Sequence, residues 1–85
     1  MVHQHRLLAV CAAFQQLTGM ADATLSKRLF GSGPKLEKLR VGDVDLSVSL
    51  CARAMEWLSA HWPEGQDEQW PKTVTRPWVQ KAENA

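Results

Sequence analysis

Along the first sixty positions apolar residues recur at helical intervals, in four stretches separated by glycine or proline. In residues 3–17, Leu7, Val10, Cys11, Phe14 and Leu17 follow the spacing of a single helix face, and Thr18-Gly19 ends the run. Residues 22–30 predict a second helix. Leu25 and Leu29 share its inner face, Lys27 and Arg28 lie off it, and Asp22 stands where an N-cap belongs. Gly31-Ser32-Gly33 breaks the pattern. Pro34 then opens a short third helix with Leu36 and Leu39 turned inward, which Gly42 closes. Asp43–Leu46 connects to Ser47, a capping residue for a fourth helix over 48–61, where Leu50, Cys51, Ala54 and Leu58 form the apolar stripe and Trp57 stands beside it.

Trp62-Pro63 ends this regime. Residues 63–85 carry Pro63, Pro71 and Pro77 with Trp70 and Trp78, lack helical periodicity, and read as an extended arm. The fold class expected is all-α: a helix-turn-helix bundle of about four helices over residues 1–62, with a Trp/Pro-rich C-terminal arm over 63–85. A chain of 85 residues allows one small domain with a modest core. The arm has two compatible readings. It finishes the chain's own core, or Trp57, Trp62, Trp70 and Trp78 form a homodimer interface, a setting that favours aromatic side chains.

Composition changes this picture little, with 45% hydrophobic and 22% charged residues, an ordinary globular balance. Charge changes it more. The net charge of +1 excludes a protein that is cationic all over, of the histone kind. Within residues 27–40, however, Lys27, Arg28, Lys35, Lys38 and Arg40 face only Glu37, a local charge of +4, whereas residues 63–85 sum to −1. Such a concentration attracts phosphates by Coulomb forces and counterion release, or else is a solvated helix face.

Two short helices joined by a glycine-containing turn describe a helix-turn-helix. The segment Asp22–Val41 resembles that of the lambda-repressor-like (Cro/C1-type) family: Leu25, Leu29, Leu36 and Leu39 fall on its apolar positions, and Ser26 on its small residue. The similarity extends over roughly residues 3–62. The chain departs from the family's pattern at Phe30, which precedes Gly31 where the family has the glycine first, and at Gly33-Pro34, which replaces the usual polar cap.

The resemblance implies sequence-specific binding of double-stranded DNA by a small bacterial or phage-type transcriptional regulator, repressor-like and dimeric. The third helix would enter the major groove. Lys35 and Lys38, on one face, would meet bases or phosphates, Arg40 a guanine or phosphate, and Ser32 a phosphate; Lys27 and Arg28 would clamp the backbone, and Glu37 would accept from cytosine or balance its basic neighbours. The alternative is a protein–protein interaction module on the same fold, working through the arm and fourth helix.

Other chemistries find little support. His3, His5 and Cys11 lack the four-ligand spacing of a closed zinc site, so neither a metal nor another cofactor is expected. Gly31-Ser32-Gly33-Pro34-Lys35 lacks the spacing of a phosphate-binding loop, no nucleophile–base pair is evident, and an enzyme or small-molecule substrate is not expected. The longest apolar run, Leu7–Phe14, is eight residues, where a membrane span needs about 20. Arg6 and Ala21-Asp22-Ala23 sketch a signal peptide, but Gln15 and Gln16 interrupt its apolar stretch and its removal would delete a core helix. The expected location is the cytoplasm, with Cys11 and Cys51 as buried free thiols.

Overall fold

The computed structural model describes residues 2–77. Four α-helices run through them, α1 (Val2–Thr18), α2 (Asp22–Phe30), α3 (Lys35–Val41) and α4 (Val48–Ala60), followed by one turn of 3₁₀ helix at Asp67–Gln69. There is no strand among the described residues, and no helix there is long and apolar enough to cross a membrane. The all-α class and the four helices agree with the periodicity of the sequence.

Helix ends follow local chemistry. The Ser47 hydroxyl accepts the amide of Leu50 at 3.1 Å and caps α4 as predicted. Asp22 does not cap α2. Ala21 holds that position without a side-chain bond, and Asp22 is the first helical residue. Its carboxylate still opposes the positive end of the helix, but it is taken up by Gln15 and Arg40.

Helix α1 packs on α4, and α2 packs on α3. The shared core holds Leu7, Val10, Cys11 and Phe14 of α1, Leu25 of α2, Leu36 and Leu39 of α3, and Cys51, Ala54 and Leu58 of α4. Leu17, Leu29 and Leu50 are only half-buried at its rim. Both cysteines are free, and burial pushes the Cys11 thiol up to about 12.

The arm is where the expectation needs correction. Through residue 77 it is not extended but folds back in tight turns, and Trp62, Trp70 and Val74 belong to the core. Phe14 and Trp62 approach at 5.8 Å between ring centroids, and Trp62 and Trp70 at 4.9 Å. Each indole N–H finds a carbonyl four residues ahead, Trp62 at Gln66 and Trp70 at Val74. The turns thus let both rings enter the core without stranding a polar atom. Arg76 ties the arm to α4. Its guanidinium donates to the Ser59 hydroxyl, the Ser59 carbonyl and Asp67, and lies over the Trp70 ring. Burying a large apolar side chain contributes about 1.5–3 kcal/mol against a total stability of about 5–15 kcal/mol. Trp70 and Val74, packed beside Trp62, make this segment an integral part of the bundle.

Candidate nucleic-acid interface

The α2–turn–α3 unit is held from inside by Leu25, Leu36 and Leu39, all within the core. Gly31 ends α2 in the left-handed region at φ 76°, and its amide closes on the Lys27 carbonyl at 2.8 Å. Ser26, fully buried, fixes the turn beyond it. Its hydroxyl donates to the Ser32 carbonyl at 2.5 Å and accepts the Leu36 amide at 2.9 Å.

With the inner faces so committed, Lys27 and Arg28 on α2 and Glu37 and Lys38 on α3 stand exposed. Lys35 is half-buried, its ammonium 5.9 Å from the centroid of the Phe30 ring. Ser32 is half-buried and contributes its carbonyl to Ser26. Ala23, Thr24, Lys27, Arg28 and Gly33 line an open groove between α2 and the turn. Thr24 and Gly33 are additions to the sequence-derived set. Thr24 lies one turn before Arg28, a helical spacing that would have found it. Gly33 joins only because the turn folds back over Ala23, whose Cβ lies 3.9 Å from the place a Gly33 side chain would start.

Arg40, exposed like Lys38, already has partners within the fold. It forms an ion pair with Asp22, and a second guanidinium nitrogen donates to Gln15 Oε1 at 3.4 Å. Gln15 closes the triangle by donating to Asp22 at 2.6 Å. The reason is helical phase: Arg40 follows the buried Leu36 by four residues and therefore lies on the flank turned toward α1 and α2. These two hydrogen bonds hold the Asp22 carboxyl below its ordinary value, that from Arg40 being the stronger. The basic side chains of this unit without a carboxylate partner among the described residues are accordingly Lys27, Arg28, Lys35 and Lys38, with Glu37 among them, while Arg40, also exposed, is paired.

The tryptophans also separate. Trp62 and Trp70, 2% and 6% exposed, are enclosed by their own chain, which removes them from the dimer-interface candidates. Trp57 is half-buried and stacks on His61 at 4.1 Å. Trp78 lies outside the described residues. Among the described residues no three His, Cys, Asp or Glu side chains gather as metal ligands would.

No protein-family model matches the chain, and neither a curated protein nor a solved structure matches it.

Proposed function

We propose that the chain binds double-stranded DNA through the α2–turn–α3 unit and acts as a small repressor-like regulator of the lambda-repressor-like (Cro/C1-type) kind. The observation that carries this reading is the sorting of cations. Arg40 and Arg76 are tied to carboxylates of the fold, and of the seven other described cations, none with such a partner among the described residues, four (Lys27, Arg28, Lys35 and Lys38) gather about one turn, whereas Arg6, Arg53 and Lys72 are scattered over other elements. Helix α3, like any α-helix about 10–12 Å across with its side chains, fits a major groove about 12 Å wide. In this reading Lys35 and Lys38 meet base edges or phosphates while Lys27 and Arg28 hold the backbone beside Thr24. A homodimer in the cytoplasm would place two such units on half-sites about 34 Å apart.

The alternative of a protein–protein interaction module draws on Val41 and Val48, which are 66% and 69% exposed. One experiment separates the two. Binding to a pool of genomic duplex fragments is followed by fluorescence anisotropy from low to moderate salt. Four phosphate contacts predict a slope of log K against log salt of about −3.6. The double variants K27A/R28A and K35A/K38A should each flatten that slope by about two contacts' worth. A flat slope for the unaltered chain, or binding that ignores both variants, would reject the DNA reading.

A further inference from the structure

A second groove lies away from the basic face. Val48, Ala52 and Met55 of α4 line it, with Val74 of the arm as one wall and Arg6 of α1 at its rim. Helix α4 thus carries two apolar faces. Cys51, Ala54 and Leu58 enter the core, whereas Val48, Ala52 and Met55, at i, i+4 and i+7, form a second stripe along the groove. Val48 and Ala52 of that stripe are exposed, and Val48, at 69%, is the most exposed large apolar side chain among the described residues. At about 200 Å³ the groove falls below the range of about 300–1,000 Å³ typical of small-molecule pockets and has room for one apolar side chain.

We propose that a second copy of the chain occupies this groove, in a twofold contact between the α4 stripes of the two copies. Knob and hole adjoin on this surface, since Val48 projects from the edge of the groove it helps to form. A twofold axis sets the same patch against itself, so each copy's Val48 enters the other's groove. Ala52, small and exposed between Val48 and Met55, lets the two helices approach. The flanks of the stripe carry opposite charge. Arg6 stands on the α1 side, and Glu56, about 100° round the helix from Met55, lies on the flank away from the buried Cys51. Both are exposed, and neither has an ion-pair partner among the described residues. With the twofold axis running along the stripe, Arg6 of each copy meets Glu56 of the other. Arg53 lies farther round α4, outside the contact. A partner of one charge would match a single flank, whereas a second copy matches both and thereby fixes the register. This inference names the surface of the homodimer in the DNA-binding reading and rests on that reading for the homodimer alone. None of these residues belongs to the basic face, so the contact leaves the cations about the turn unused.

The test is sedimentation equilibrium of the full chain without DNA, from about 1 to about 500 μM. The mass should rise from one copy toward two. V48D should weaken the dimer at least about tenfold, since it sets an unpaired charge in the centre of the contact. Val48 is exposed in the single chain, and an acid in the first turn of a helix is favourable, so this variant keeps its fold. R6E and E56R should each weaken association about threefold, and the double reversal R6E/E56R should recover it. A chain that stays a single copy throughout, or a dimer as strong in V48D as in the unaltered chain, would overturn the proposal. Weakening in both single reversals without recovery in the double would overturn the pairing of Arg6 with Glu56. The DNA-binding reading fails separately, on a flat salt slope, and self-association measured without DNA is untouched by that outcome.

Discussion

The Ser26 hydroxyl on α2 accepts the amide proton of Leu36 on α3 at 2.9 Å. Helix α3 has no side-chain cap of its own, because Pro34 occupies that position. The amide of Leu36 is among the first-turn donors that a helix leaves unpaired, and a neighbouring helix supplies the acceptor. The same hydroxyl donates to the Ser32 carbonyl and so pins both ends of the turn. S26A leaves that amide and carbonyl unpaired in a buried site and should cost about 1–3 kcal/mol. S26V adds bulk to a fully enclosed position and should cost more. Urea denaturation measures both, and an S26A midpoint equal to the unaltered chain's would refute the capping role.

The turn's two glycines should behave differently. Gly31 holds φ at 76°, where a Cβ is strained, whereas no such angle occurs at Gly33 and a Cβ there meets nothing closer than 3.9 Å. G31A should destabilise by about 1 kcal/mol, and G33A should be close to neutral in stability. Thermal melts of the pair decide it. Equal losses would contradict this account of the turn.

The Gln15–Asp22–Arg40 triangle makes part of the stability depend on pH. The folded Asp22 carboxyl lies below its unfolded value, near 3.9, so its contribution is fully present above about pH 4–5 and is lost as pH falls through the folded value. Both partners are more than a third exposed, so solvent screening limits the ion pair to about 0.2–1 kcal/mol. D22N should therefore lower the melting temperature at pH 6 and match the unaltered chain at the acid end of a pH 2–6 series. Parallel profiles would show that the pair contributes nothing.

In DNA binding, Arg40 and Lys38 should part company even though they are two residues apart. K38A should reduce the salt slope by about 0.9, the loss of one phosphate contact. R40A should leave the slope nearly unchanged and instead lower stability, since its charge is already matched by Asp22. Anisotropy titrations at several salt concentrations, with a melt of each variant, check the assignment. An R40A slope that falls like that of K38A would return Arg40 to the DNA-facing set.

The arm should prove necessary to the fold. W70A removes a 6%-exposed indole together with its bond to the Val74 carbonyl and should cost about 3–5 kcal/mol. R76L forfeits the bonds to Ser59 and Asp67 and should open the segment to proteolysis near Lys72 well before α4 is cut. Unchanged denaturation and cleavage in both variants would show the arm to be an appendage.

The information legible in the amino-acid order lies at the scale of a helix turn. Four helices, with bounds to within about one residue, the Ser47 cap and most inward leucines could be read there, because i to i+4 periodicity and end-capping act between residues close in the chain. The basic run was legible as composition, with Lys27, Arg28 and Lys38 emerging at the surface. Which charges are already matched depends on long-range packing. Asp22 and Arg40 are eighteen residues apart, and their pairing requires α3 to fold back along α2. The fate of the tryptophans is likewise a matter of tertiary contact. A Trp-Pro step looks the same whether its indole enters its own core or a partner's. The choice rests on whether the following turn brings a carbonyl to the indole N–H, as Gln66 does for Trp62 and Val74 for Trp70. Periodicity records which way a side chain leaves its own helix, and contacts between distant segments decide what it meets there.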